Sequence, residues 1–229
     1  MSKRRHVVIG LPSYAGTVHI GTMRSLMCDV LALQAKGVVV SLDDECANTV
    51  IANARARIVH RFLTETDGTD LVFVDNDVLW QAHGLQRLLS YPVDVVGGAY
   101  PKRKDPIEFP VHYVDGEAGP VADHKLRLLK MGAVSGGFTR WTRHALQRLT
   151  DHYREDLSYD EDGLQIVGLF ESYKLANGQK LSEDYAICRR WTDIGGAVYL
   201  DPEIRMGHMG LKCFEGQLGR WDAEKEKAA

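Results

Sequence analysis

Asp75 and Asp77 stand one residue apart around Asn76, and they follow four apolar residues without a break in the stretch LVFVDNDVLW at 71–80. Two hard carboxylate ligands at that spacing suit a divalent cation that must also hold a phosphate. A turn rich in Asp and Asn uses the same residues and needs no ligand. His208, in MGHMG, has glycines close by that let backbone and ring approach a ligand; the same histidine also reads as a hydrogen-bonded structural residue. Arg55 and Arg57 precede the Asp pair, as a guanidinium fork for a nucleotide or diphosphate or as a solvated helix face. Gly136 and Gly137 before Phe138 let the backbone approach a ligand closely or make a tight turn. Lys102 and Arg103 in PKRK are contacts for a phosphate, or solvated loop charges. Glu183 and Asp184 follow Ser182 in the first turn of a helical pattern, where acids complement the helix dipole.

An apolar run that delivers polar groups at its end is a buried strand, and open α/β sheets keep their chemistry at such carboxyl ends. Around it the periodicity predicts a first strand at 7–11 that stops at Pro12, a helix over 23–35 and a second strand at 38–42. Ile51, Ile58, Val59 and Phe62 fall at helical spacing before DGTD closes that helix. After LVFVDND come a short helix, HGLQRLLS, a strand, VDVVGGAY, and a polar loop. Weaker strand signals then lead to a helix at 140–153, with Trp141 at the core or rim. Scattered charge and glycines over 154–181 predict a long functional loop or mobile insertion. SEDYAICRRWTDIGG is a helix N-capped by Ser182, AVYLDPEIRMGHMG is a final strand, and the tail at 222–229 frays. With no repeat or linker, residues 1–229 form a single domain.

The 229 residues, 45% apolar and 26% charged, argue against the disordered and membrane classes. A net charge of -3 argues against a surface devoted to nucleic acid, yet SKRRH and PKRK leave local contacts to phosphate open. Cys28, Cys46, Cys188 and Cys213 lie far apart without a CxxC pair, so they read as reduced thiols in a cytosol. No signal peptide or membrane anchor is expected.

Strands alternating with helices imply an α/β chain with an open, mostly parallel sheet flanked by helices. The chain lacks G-x-G-x-x-G after a strand and G-x-x-x-x-G-K-[ST], which disfavours the two common nucleotide folds. The ordered set VVIGLPSY, ANARARIVHRFL, FVDND, DVVGGAYPKR, GAVSGGFTRWTRHAL, SEDYAICRRW and YLDPEIRMGHMG resembles the GT-A class of nucleotide-sugar glycosyltransferases, especially small bacterial and bacteriophage members. The resemblance runs from about Val7 to Gly210 and implies a GT-A-like, single-domain Rossmann-type fold.

It also implies roles. Asp75, Asp77 and His208 would hold Mn2+ or Mg2+ against the diphosphate of a UDP- or GDP-sugar, one acid acting directly or through water or ribose. Pro12, Tyr14, Arg55, Asn76, Gly136 and Gly137 would meet the donor, although Ala56 stands where the class often has Asn. In inverting members an acid at the Glu-Asp pair takes the acceptor's proton, which gives Asp184, then Glu183, as general base. Lys102 and Arg103 would meet acceptor or phosphate. The implied activity is hexosyl or pentosyl transfer to a hydroxyl in a bacterial or phage-infected cytosol, without a membrane. A hydroxymethylated pyrimidine in DNA is one acceptor. Alternatives are a non-catalytic nucleotide-sugar or glycan binding module and a sugar-nucleotide pyrophosphorylase, whose Gly-rich loop GLPSYAG does not supply.

Overall fold

Residues Asp70–Val74 are all buried, and both faces of this strand are used: Leu71 and Phe73 enter one hydrophobic cluster, Val72 and Val74 another. A strand covered on both sides needs a continuous apolar run, since successive side chains point to opposite faces. The structure, a computed structural model, describes residues 4–220; the tail expected to fray at 222–229 lies outside the described residues.

In chain order the first elements are β1 (His6–Ser13), α1 (Ile20–Ala35), β2 (Val39–Cys46), α2 (Ile51–Glu65), β3 (Asp70–Val74), β4 (Val78–Trp80), α3 (Gly84–Ser90) and β5 (Val95–Gly98). Then come β6 (Val121–Asp123), β7 (Leu128–Met131), β8 (Phe138–Thr142), α4 (Arg143–Leu157), β9 (Ser158–Glu161) and β10 (Leu164–Val167). The last are β11 (Tyr173–Lys174), β12 (Lys180–Leu181), α5 (Glu183–Asp193), β13 (Val198–Asp201), β14 (Met206–Met209) and β15 (Cys213–Gly216).

The central sheet has the order β2-β1-β3-β8-β5-β13-β7-β6. β2, β1 and β3 are parallel neighbours, as are β5 and β13, while β8 enters antiparallel between β3 and β5. The carboxyl ends of β1, β3 and β5 therefore gather on one side, together with the start of β8. α2, α4 and α5 cover one face through Ile58, Phe62, Leu146 and Trp191; α1 and α3 cover the other through Leu26, Leu33, Leu85 and Leu88. Each such fully buried side chain contributes about 1.5–3 kcal/mol of burial.

Four expectations change. β1 runs through Pro12 to Ser13, because its last pair with β3 is Gly10 with Phe73 and one side of the strand is open beyond it. The helix expected from 140 starts at Arg143, because 138–142 pairs with β3 and β5 and Thr142 caps the helix by accepting from Ala145 N at 3.2 Å. Residues 154–181, expected as a long loop, instead carry the end of α4 and two short hairpins, β9 with β10 and β11 with β12. The single final strand expected at the chain end is split by Pro202 into β13 and β14, and β14 joins β15 and β4 in a separate three-stranded sheet.

Candidate catalytic site

β3 ends at Val74 and hands Asp75 to the junction with β8, where Asp75 N donates to Gly137 O at 3.0 Å. Asp75 Oδ1 accepts from Arg55 Nη2 at 2.9 Å, and the Tyr100 hydroxyl lies 3.4 Å from Oδ2. Arg55 Nη1 also donates to Glu183 Oε1 at 3.1 Å, so one guanidinium only 3% exposed joins the end of β3 to the start of α5. Burial opposes its charge, but the carboxylates of Asp75, Glu183 and Asp184 outweigh that and raise Arg55 above the ordinary arginine value. Tyr100 is held protonated, first by burial and then by the charge of Asp75.

Asp77 reaches a different partner because of the small sheet. β14 pairs with β4 so that His208 opposes Val78, and Met209 N donates to Asp77 O at 2.9 Å. His208 Nε2 then stands 3.6 Å from Asp77 Oδ1. His208 Nδ1 meets Pro101 O at 3.0 Å, and a carbonyl only accepts, so the proton sits on Nδ1 and the Nε2 lone pair faces the carboxylate. Burial lowers the imidazole below the ordinary histidine value; the Pro101 bond opposes this and Arg103 assists it. A neutral nitrogen and a carboxylate oxygen facing each other without a shared proton fit a divalent cation. Arg103 also pairs with Asp77. Among the described residues no three His, Cys, Asp or Glu side chains converge as a ligand set. Arg55 and Tyr100 hold the Asp75 carboxylate beside that pair, and its charge opposes the lowering of His208.

Gly136 and Gly137 are demanded by packing. A Cβ on Gly136 would lie 2.5 Å from Arg55 Nη1, and one on Gly137 would collide with the Asp75 carboxylate and sit 2.6 Å from the Tyr100 hydroxyl. Their amides are used as well: Gly136 N donates to Asp184 Oδ2 at 3.3 Å and Gly137 N to the Tyr100 hydroxyl at 3.2 Å. Ser182 occupies the N-cap position of α5 without a side-chain cap; its hydroxyl donates to Asp184 Oδ1 at 2.6 Å, which also accepts from Tyr185 N at 2.9 Å. Asp184 is thus an oriented carboxylate fed by amide and hydroxyl donors, whereas Glu183 is tied to a guanidinium.

The structure brings Asp75, Arg55, Glu183, Asp184, Gly136 and Gly137 into one network, with Asp77, His208 and Arg103 beside it. The Tyr100 ring bridges the two parts, edge-on to His208 with centroids 5.0 Å apart. Asn76 donates to Ser13 Oγ at 3.1 Å and to Thr17 O at 2.9 Å, which draws the loop after Pro12 to the site. Tyr14 in that loop is 64% exposed. Arg55 does not reach outward to a donor as expected, because both terminal nitrogens are taken by carboxylates. Lys102 is not brought to the site: it pairs with Glu108 at 2.5 Å. Tyr100, Ser13 and Ser182's bond to Asp184 were missed; the phenol that follows VVGGA at a strand end was the available signal for Tyr100.

No protein-family model matches the chain, and no curated protein sequence matches it. Among solved structures, A197 from STIV superposes with a TM-score of 0.56 at 17% identity, over 90% of this chain and 86% of that one. GalNAc-T7, crystallised with UDP, GalNAc and Mn2+, superposes with a TM-score of 0.52 at 12% identity, over 90% of this chain and 43% of that one. At these identities the likeness concerns the fold, which is GT-A-like with a mostly parallel sheet flanked by helices.

Proposed function

We propose that the chain is a glycosyltransferase that moves a sugar from a nucleoside-diphosphate sugar, with UDP or GDP as the leaving group, to an acceptor hydroxyl. The observation that carries this reading is the continuous network Glu183–Arg55–Asp75–Tyr100–His208–Asp77 at the carboxyl end of β3 on a GT-A-like sheet. GalNAc-T7, a structural neighbour, is named with UDP and Mn2+, which supports the donor class. Asp77 and His208 would hold Mn2+ or Mg2+, which would offset the negative charge developing on the departing diphosphate. Arg55 and Tyr100 hold Asp75 in place beside that pair. The loop after Pro12, with Tyr14 at its exposed edge, is the surface for the nucleoside, and Asn76 ties it to the Asp pair.

Asp184 is the group to take the acceptor's proton as the hydroxyl attacks the anomeric carbon. Glu183 is ion-paired to buried Arg55, so its task is to hold that arginine. Asp184 meets only neutral donors in its hydrogen bonds, and they keep it oriented. For the acceptor, the basic loop that brings Arg103 to Asp77 supports a phosphate-bearing substrate, and a hydroxymethylated pyrimidine in DNA is the first to try. No helix of the described residues is long and apolar enough to cross a membrane.

The test is release of nucleoside diphosphate from a panel of UDP- and GDP-sugars, with and without Mn2+, and with hydroxymethylated DNA or simple glycosides as acceptors. Cation-dependent release is expected, with Asp184→Asn roughly 10²-fold slower at unchanged donor affinity. Donor binding without release from any pair would overturn the enzymatic reading. Near-parental turnover in Asp184→Asn would move the base to Glu183 or make the reaction retaining, which the anomeric configuration of the product decides.

A further inference from the structure

Lys102, Arg103 and Lys104 follow one another in the loop between β5 and β6, yet they turn to different partners. Lys102 and Lys104 both pair with Glu108, and Lys102 N donates to Glu108 O at 2.8 Å, which closes the loop on itself. Arg103 leaves this group and pairs with Asp77 Oδ2 instead. The loop is fastened on either side of it. Pro101 O accepts from His208 Nδ1 at 3.0 Å, and Lys212 Nζ donates to Asp105 Oδ2 at 2.5 Å, so both flanks are tied to β14 and the turn that follows it. Gly210 in that turn leaves room for the arginine stem: a Cβ there would lie 3.1 Å from Arg103 Cδ.

Two arginines thus meet the two acids of DND in opposite ways. Arg55 is 3% exposed and locked between Asp75 and Glu183, whereas the Arg103 side chain is 45% exposed and meets Asp77 at the rim. An ion pair as open to water as the second holds weakly and exchanges readily. The two oxygens of Asp77 face different groups: Oδ1 stands 3.6 Å from His208 Nε2, and Oδ2 takes Arg103. A divalent cation between Oδ1 and Nε2 would lie against the guanidinium, and two positive groups on one carboxylate repel each other. A diphosphate arriving with the cation offers that guanidinium a better partner, because its paired oxygens match the planar fork of donors.

We propose, on the glycosyltransferase reading above, that Arg103 is a ligand of the donor's diphosphate that rests on Asp77 until cation and nucleotide arrive. It yields Asp77 to the cation and closes on the diphosphate. One side chain therefore balances the acid in the free protein and the leaving group in the complex. The exchange couples the two ligands: a nucleotide that draws Arg103 away removes the competitor for Asp77, and a cation on Asp77 frees the guanidinium that the nucleotide needs. Arg103 thereby acts on the donor, before any acceptor is bound.

Calorimetry with UDP or GDP, and electron paramagnetic resonance of free Mn2+, test this on the full chain with each ligand alone and with both. Arg103→Ala should bind Mn2+ without nucleotide roughly two- to fivefold more tightly, the scale on which an exposed ion pair holds its acid. In saturating Mn2+ the same variant should bind the nucleotide about tenfold or more weakly, through loss of a charged hydrogen-bond donor. These opposite signs are what a merely structural bridge would not produce. Arg103→Lys should recover little nucleotide affinity, and Lys104→Ala, which removes equal charge from the same loop, should change neither ligand. Mn2+ affinity that is unchanged or lowered in Arg103→Ala overturns the proposal, as does unchanged nucleotide affinity. A loss confined to binding of hydroxymethylated DNA would place Arg103 at the acceptor and overturn it equally. A parent that binds no nucleotide with Mn2+ defeats the glycosyltransferase reading and this proposal together; coupled binding in the parent without the sign reversal defeats the role of Arg103 alone.

Discussion

Arg55 shows how a single side chain sets the geometry of the candidate site without facing a ligand. Its guanidinium is planar and forked, so it can serve Asp75 and Glu183 together, which the point charge of a lysine cannot do equally well. Removing it leaves two partly buried carboxylates without their counter-charge. Arg55→Met is therefore expected to cost about 3 kcal/mol in urea denaturation, with Arg55→Lys recovering part of the loss; a loss under about 1 kcal/mol would show that the pair is not structural. The presence of this arginine ahead of the Asp pair was legible in the sequence. Its direction was legible too, had spacing been followed: Arg55 shares the stripe of Ile58, Val59 and Phe62, at three, four and seven residues, and that stripe faces the core. The position of Asp75 relative to His208 was not legible, since it depends on Tyr100, which arrives from another strand.

Among the elements, the junction of β3 with β8 leaves the least room. Val74 opposes Phe138, so the two glycines before Phe138 pass directly over Asp75 and Arg55. Gly137→Ala would push the Asp75 carboxylate off Arg55 or displace Tyr100. It is expected to destabilise the protein by about 1–3 kcal/mol, the scale of overpacking a filled site, and to weaken nucleotide binding at the same time. A variant that melts and binds like the parent would mean that the β8 turn relaxes freely. The individual strands and helices were largely readable from periodicity, because burial on one or both faces dictates it. The small sheet of β4, β14 and β15 was not: MGHMG gives no alternation, and its partner β4 is only three residues long. The hairpins within 154–181 were unreadable for a related reason, being strands of two to four residues; Ile166 and Val167 anchor the first in the core, and Arg57 meets Glu161 and Asp162 at its turn.

At the scale of the whole molecule, the α/β class followed from alternating apolar runs and helical stripes, whereas the strand order did not. The insertion of β8 between β3 and β5 joins residues far apart in sequence, and no local pattern encodes such a pairing. That insertion is what places Gly136 and Gly137 against Asp75 and, through α5, Asp184 beside them. The topology thus brings scattered acids, glycines and a late histidine together, and the proposed function requires Asp77 and His208 to hold a divalent cation for a nucleoside diphosphate. Calorimetric titration of Mn2+ into the protein with UDP or GDP present tests this directly. Saturable binding is predicted at neutral pH, abolished in Asp77→Asn and weakened in His208→Ala. Because burial lowers His208 below the ordinary value of about 6.5, its neutral form persists above that pH and affinity should stay level there. Affinity should fall only as the pH drops through the depressed value and a proton takes Nε2. Binding that is undiminished in Asp77→Asn, or absent in the parent with either nucleotide, would contradict the account.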